Sequence, residues 1–62
     1  MRFRVGNEVR VKSDGSTGIV EKIFDNTMGD QNCLIRFEGK ENTLGYGEWE
    51  LELVPRDFHK IL

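Results

Sequence analysis

The sequence predicts an all-β fold, a small five-stranded barrel with one short helical turn before the last strand. Val9 and Val11 alternate with charged neighbours, which is the period-two pattern of a half-buried strand. Polar turns that contain glycine recur at short intervals along the chain. With 62 residues, of which 37% are hydrophobic, the chain is too short for a two-layer sandwich. A curled sheet buries one face of every strand and leaves few open edges.

The first two strands are predicted to form a hairpin. Residues 5–12 make the first strand, and the polar turn after it contains Gly15, which adopts positive φ without strain. The second strand covers residues 17–25. Its apolar Val20 and Ile23 lie three positions apart instead of two or four, so we expect a bulge or a strong bend between them.

The second half of the chain supplies three further strands. Cys33, Ile35 and Phe37 alternate along the third strand and are expected to face the core. Pro55 ends the last strand because it cannot donate a hydrogen bond to a ladder. The predicted order is a polar loop over residues 25–32, a third strand over 33–38, a turn over 39–42, a fourth strand over 43–46, a helical turn over 47–51 and a fifth strand over 52–54.

Residues 1–55 are therefore interpreted as a single barrel domain, and residues 56–62 as a C-terminal tail. The tail is apolar at Phe58, Ile61 and Leu62, whose spacing matches one face of a helix. Two interpretations stay open. The tail packs back over one end of the barrel of a monomer, or these three side chains contact a second copy of the chain in a homodimer.

The charge is unevenly distributed along the chain, whose net charge is −2. Residues 1–24 carry five basic and three acidic side chains, whereas residues 25–62 carry four basic and eight acidic ones. The first part is therefore at +2 and the second at −4. Alternating glutamates surround Trp49, either as a solvated face or as an acidic rim around an exposed aromatic side chain. These glutamates are Glu48, Glu50 and Glu52.

No residue pattern in the sequence indicates catalysis, a cofactor or a metal site. Cys33 is the only cysteine, so it forms no intrachain disulfide, and we interpret it as a small buried hydrophobic residue. The only histidine, His59, lies in the tail with nothing to bring it near this thiol. Residues 25–30 offer oxygen donors but lack the residue order of a calcium loop. We therefore expect a binding protein that is not an enzyme.

The expected location is the cytoplasm, without membrane contact. Residues 1–6 are too polar for a signal peptide, and no apolar run is long enough for a membrane span. The single thiol is consistent with a reducing compartment.

Two short motifs resemble the KOW family. They are Gly6-X-X-Val9-X-Val11 and Gly18-X-Val20-X-X-Ile23. The order of the later segments, Leu34–Gly39 and Glu50–Val54, is also similar to the E subunit of photosystem I and to the Mind-bomb-type module of ubiquitin ligases. The resemblance covers residues 5–54 and implies a small Src-homology-3-like (SH3-like) barrel. It does not select one function, because this barrel hosts many unrelated roles.

Nucleic-acid binding is one role that the resemblance implies, since KOW barrels occur in ribosomal proteins and transcription elongation factors. KOW barrels that touch RNA commonly have Lys and Arg in the first turn, whereas residues 13–17 contain Asp14 and no basic residue. A net charge of −2 also gives the chain no broad basic surface. The candidate residues for this alternative, which would share a local basic strand face, are Arg4, Arg10, Lys12 and Lys22.

Binding of a protein or peptide is the preferred interpretation. Tyr46 and Trp49 are expected to line an aromatic groove, with Phe24 as a further candidate. Their acidic neighbours Glu48 and Glu50 would attract a basic segment.

The alternative for the same aromatic residues is a packing role. In a core this small, Tyr46 and Trp49 are equally expected to be buried. Gly45 and Gly47 flank Tyr46, and they allow either a close approach of the backbone or a kink before the helical turn. The sequence leaves these alternatives open.

Overall fold

The computed structural model describes residues 3–26 and 28–55. They form β1 (Glu8–Val11), β2 (Thr17–Asp25), β3 (Gln31–Phe37), β4 (Thr43–Gly47), a 3-10 turn (Glu48–Glu50) and β5 (Leu51–Leu53). The five strands pair antiparallel in one sheet, in the order β4-β3-β2-β1-β5. The all-β prediction is therefore confirmed, with its strand number and its helical turn. Closure into a barrel stays a prediction, and the tail at 56–62 lies outside the described residues.

β1 is shorter than predicted because the chain turns just before it. The strand begins at Glu8 rather than near residue 5. The Arg4 amide donates to Asn7 Oδ1 (2.7 Å), and Gly6 has a φ of 98°, which favours glycine. β2 has the predicted limits, β4 ends one residue later than predicted, and β5 is shifted one residue earlier.

β3 begins at Gln31, two residues earlier than the sequence pattern predicts, because that pattern places Gln31 in the preceding loop. The Gln31 side chain is buried, and its amide group forms two hydrogen bonds with the backbone of Phe3. Its Oε1 accepts from the Phe3 amide (2.7 Å), and its Nε2 donates to the Phe3 carbonyl (3.1 Å). Phe3 is itself buried. This pair ties the N-terminal segment over the core and satisfies polar groups whose burial would otherwise be costly.

The core is small and is supplied by four of the strands and the N-terminal segment. Val9 and Ile35 are fully buried, and the core as a whole comprises Phe3, Val9, Val11, Val20, Cys33, Ile35 and Leu51. The predicted inward residues of β1 and β3 are confirmed, with Phe37 half-buried against this cluster. Side chains of one sheet reach such burial only where the sheet curls or another segment covers it.

A bulge lies in the middle of β2, as predicted from its irregular spacing. Val20 pairs with Ile35 and Lys22 with Leu34, so Glu21 is the extra residue of β2. The bulge resets the alternation, so that Val20 is buried and Ile23 also packs against the core. The extra residue explains how Val20 and Ile23, three positions apart, can both face the core.

Gly18 lets β2 and β3 approach closely beside this core. A Cβ atom at Gly18 would lie 2.7 Å from the Arg36 carbonyl oxygen and 2.7 Å from Ile35 Cγ2. Both neighbours are held in place, since the carbonyl belongs to β3 and Ile35 is fully buried. Only glycine fits here without displacing the strand.

Gly18→Ala is expected to lower the free energy of unfolding by about 1–3 kcal/mol, because the added methyl overpacks the β2–β3 contact. Gly45→Ala is the matched control, since its added Cβ would meet only Leu34 Cδ2, at 3.5 Å. Urea denaturation of the two variants and the wild type measures both values. Equal stability of all three proteins would contradict the close approach.

Candidate functional site

Trp49 is the most exposed aromatic side chain in the described part of the chain, at 60%. It lies in the centre of the 3-10 turn that links β4 to β5. The interpretation of Trp49 as a core residue is therefore wrong.

The indole ring lies across Gly47. A Cβ atom at Gly47 would be 2.4 Å from Cη2 of Trp49, so any side chain there would displace the ring. Gly47 has ordinary extended dihedrals (φ −77°, ψ 155°), so space rather than backbone conformation requires the glycine. The sequence suggests a close approach at the glycines that flank Tyr46. At Gly47, the group that approaches the backbone closely is the ring of Trp49.

Glu48 and Glu50 hold the turn in place. Glu50 Oε2 accepts from the Gly47 amide (2.9 Å), and Glu48 Oε1 accepts from the Gln31 amide (2.6 Å). Each bond uses one carboxylate oxygen, so both groups keep acceptor capacity for a further donor. The acidic residues predicted to form a rim are therefore structural as well, and they are fixed close to the indole.

An open depression of about 490 Å³ surrounds Trp49. It is lined by Lys12, Glu48, Trp49, Leu51, Glu52 and Leu53. We call it the Trp49 depression. Its apolar surface comes from the indole and two leucines, of which Leu53 is 38% exposed. An aromatic face beside carboxylates suits a cationic side chain with an aliphatic stem.

The strand register adds a second exposed aromatic residue beside this site. Phe24 pairs with Asn32, and Asn32 pairs with Gly47, so the three lie in one cross-strand row on the face away from the core. Phe24 is 53% exposed. Because neighbouring strands are about 4.8 Å apart, Phe24 lies roughly 10 Å from Gly47, across which the Trp49 ring lies. We call Phe24, Asn32, Gly47 and Trp49 the aromatic row.

Tyr46 lies elsewhere. It packs half-buried against the core, and its ring meets Phe37 edge-on, with centroids 6.1 Å apart and an interplanar angle of 80°. Tyr46, Phe37, Leu44 and Lys40 line a different depression, which they share with residues of the turn between β1 and β2. The structure therefore brings Trp49 and Glu48 together but not Tyr46, whose packing interpretation is supported.

The four basic candidates do not form one cationic surface. Arg10 pairs with Glu52 across β1 and β5 (3.1 Å). Lys12 is exposed beside Trp49, Lys22 is exposed at the β2 bulge, and Arg4 is exposed in the turn before β1. Their charges are dispersed or compensated.

Glu21 and Arg36 form a second ion pair, on the face away from the core. Arg36 donates from Nε to Glu21 Oε2 and from a second nitrogen to Oε1 (2.9 Å). The hydrogen bond from Arg36 lowers the pKa of Glu21, and the same pair raises the pKa of Arg36. The cation that could otherwise extend a basic face is therefore neutralised.

Cys33 is a buried thiol rather than a nucleophile. It is 1% exposed and lies in the core. Burial raises its pKa, and the negative charge of Glu48 raises it further. A protonated, enclosed thiol is a poor nucleophile, which agrees with the interpretation of Cys33 as a small hydrophobic residue.

Among the described residues there is no helix long and apolar enough to cross a membrane. The same residues contain no group of three or more His, Cys, Asp or Glu side chains that could hold a metal ion. Comparisons with protein-family models, with curated proteins and with solved structures found no match to this chain.

Gly47→Ala is expected to displace the indole ring from its contact with residue 47. The ring then becomes more exposed to water, and the fluorescence emission of Trp49 moves to longer wavelength. Trp49 is the only tryptophan, so the emission reports this residue alone. Gly45→Ala serves as the control, and far-ultraviolet circular dichroism checks that both variants stay folded. An unchanged emission spectrum in folded Gly47→Ala would contradict the contact.

Glu21→Gln is expected to lower stability near neutral pH but not in acid. The lowered pKa of Glu21 means that its pairing stabilises the fold above the ordinary value of 4.5, and that this stabilisation is lost as pH falls through the lowered value. Denaturant midpoints of wild type and variant should therefore approach each other as the pH falls below 4.5, and coincide once the pH is below the lowered pKa of Glu21. Glu38→Gln is the control. A constant difference at all pH values would contradict the pair.

Proposed function

We propose that this protein is a non-catalytic interaction module that binds a protein or peptide partner through the Trp49 depression and the aromatic row. The observation that carries this proposal is the 60% exposure of the only tryptophan. With so few hydrophobic residues, the chain would gain stability by burying its largest one. Tryptophan is instead held at the surface, where it is among the residues most enriched at interface hot spots.

The surroundings of Trp49 favour a basic segment as the partner. Glu48 is fixed beside the indole, and Glu52 lines the same depression. A lysine or arginine would stack its charged group on the ring while its stem covers Leu53. Lys12 is the cation among the residues that line this depression, and its charge weakens the electrostatic attraction of a strongly basic partner. We therefore expect one basic side chain at the Trp49 depression, flanked by uncharged residues.

The SH3-like barrel is the architecture that we propose for this module. The long β2 pairs with β1 at its first half and with β3 along nearly its whole length, and the bulge at Glu21 bends it. The 3-10 turn contacts both β3 and β5, the strand at the far edge. These features, with the complete burial of Val9 and Ile35, support a sheet that curls around one core. The proposed KOW-like relationship rests on the sequence motifs.

Nucleic-acid binding is the alternative role, and the arrangement of charges favours it less. Within the five strands of the described residues, the face away from the core carries three carboxylates (Glu8, Glu21, Glu52) and three cations (Arg10, Lys22, Arg36). Two of those cations are already in ion pairs. Phosphate binding relies on cations that neutralise phosphates in place of counterions, so this face has little net charge to offer.

Trp49→Ala is expected to reduce partner capture strongly while the domain stays folded, because the side chain is 60% exposed and lies outside the core cluster. The tagged protein, Trp49→Ala, Phe24→Ala and the control Ile19→Ala are compared in affinity capture from the native cell, with mass spectrometry of bound protein. Ile19 is also an exposed apolar residue (45%) but lines a different depression. Loss with the two aromatic variants and retention with Ile19→Ala supports the proposal.

Two outcomes would overturn it. If Trp49→Ala unfolds the chain, the residue is structural and the depression is not a binding surface. If the protein instead binds single-stranded RNA or DNA with steep salt dependence, and Arg10→Ala plus Lys12→Ala abolishes retention while Trp49→Ala does not, the nucleic-acid role is correct.

A further inference from the structure

β4 is an edge strand whose sequence does not protect it from further pairing. Within residues 3–26 and 28–55, it pairs with β3 alone. Its five residues, Thr43–Gly47, contain no charge and no proline. The opposite edge, β5, has only three residues, carries Glu52 and is followed by Pro55. Short length, charge and proline are the usual devices that prevent edge pairing, and β4 has none of them.

The direction of the backbone groups shows which residues of β4 face the open edge. The Gly47 amide donates to the side chain of Glu50 rather than to β3. The Gln31 amide donates to Glu48, which follows β4, so the backbone groups of Gln31 point towards the β4 side of β3. Backbone groups alternate in direction along a strand, so every second residue of β3 counted from Gln31 also faces β4. Leu34, the partner of Gly45, therefore bonds to β2 instead. By the same alternation, the amides and carbonyls of Thr43 and Gly45 point away from β3.

The side chains beside this edge suit an extended peptide. Leu44 is 53% exposed and, with Phe37 and the stem of Lys40, lines a depression of about 250 Å³ on one face of the strand. On the other face, Gly45 and Gly47 have no side chains, and the Trp49 ring lies across Gly47. An added strand would place alternate side chains on these two faces, apolar ones against Leu44 and one residue beside Trp49.

Charge complementarity identifies the occupant. β4 itself is uncharged, but it leads directly into Glu48 and Glu50, whose carboxylates are fixed at its end. A second copy of this chain would bring its β3–β4 hairpin towards that end, and Glu38, Lys40 and Glu41 of that hairpin add a net negative charge. A peptide with a lysine or arginine there avoids this repulsion. The edge thus favours an extended basic segment over self-association.

We propose that the partner binds as an added strand on β4. An extended segment of the partner pairs with the outward backbone groups of Thr43 and Gly45 and packs an apolar side chain against Leu44. It places a lysine or arginine beside Trp49 and Glu48. This proposal rests on the proposed function and specifies how that function works, by main-chain pairing with alternate side chains providing selectivity.

Gly45→Pro tests the pairing directly. The proline removes an outward amide that the β3 ladder does not use, and edge strands accept proline at such positions. Gly45→Ala keeps the amide and is the matched control. Peptides are selected from a random library on the wild-type protein, and their affinities are measured by Trp49 fluorescence. We expect basic, strand-forming peptides whose affinity falls at least about tenfold with Gly45→Pro but not with Gly45→Ala.

Each other outcome decides the question. If Gly45→Pro unfolds, peptides N-methylated at alternate residues replace it, and one of the two methylation patterns must abolish binding. If peptide binding survives Gly45→Pro, or survives both methylation patterns, but is lost with Trp49→Ala, strand addition is wrong and the proposed function stands. If no peptide is enriched, both are wrong. If sedimentation finds a wild-type dimer that Gly45→Pro dissociates, a second copy occupies the edge and the peptide proposal is overturned.

Discussion

The pairing of β2 with β3 is the interaction on which the other elements depend. These strands share the longest ladder of the sheet, and each also holds another strand, β1 on one side and β4 on the other. The bulge at Glu21 turns both Val20 and Ile23 towards the core, and Gly18 allows the backbones to approach closely. The same ladder sets the register that aligns Phe24 with Asn32, and thereby forms the aromatic row beside Trp49.

Polar residues hold the ends of this small fold together, and they also shape its surface. Gln31 connects two regions: its side chain binds the main chain of Phe3, while its amide binds Glu48 in the turn that presents Trp49. The acidic second half of the sequence is therefore not simply a free anionic patch, since Glu48, Glu50 and Glu52 each make a specific hydrogen bond. Under the proposed function, carboxylates that are already fixed beside an exposed ring would reduce the entropy lost on binding a cationic side chain.

Sequence reasoning was most successful where period-two alternation was regular and least successful where one side chain changed the path of the chain. The β2 limits and its bulge followed from the spacing of Val20 and Ile23. The sequence pattern predicts the start of β1 too early, because hydrogen bonding by Asn7 produces a turn that hydrophobicity does not report. It predicts a loop at Gln31, because a polar residue among turn formers gives no local sign of burial. The sequence alone does not reveal the role of Gly47, which pairs with Asn32, donates its amide to Glu50 and leaves space for the Trp49 ring.

The sequence by itself determined the all-β class, the number of strands and their order along the chain, the inward side of β1 and β3, and the burial of Cys33. These features depend on the alternation of apolar and polar residues and on turn-forming residues, both of which can be read from a short window of sequence. Only the tertiary structure decided that Trp49 is outside while Tyr46 packs inside, that Arg10 and Arg36 are paired, and that β4 pairs with β3 alone among residues 3–26 and 28–55. Those properties depend on which strands become neighbours and in which register, and contacts between distant residues leave no periodic trace in the sequence.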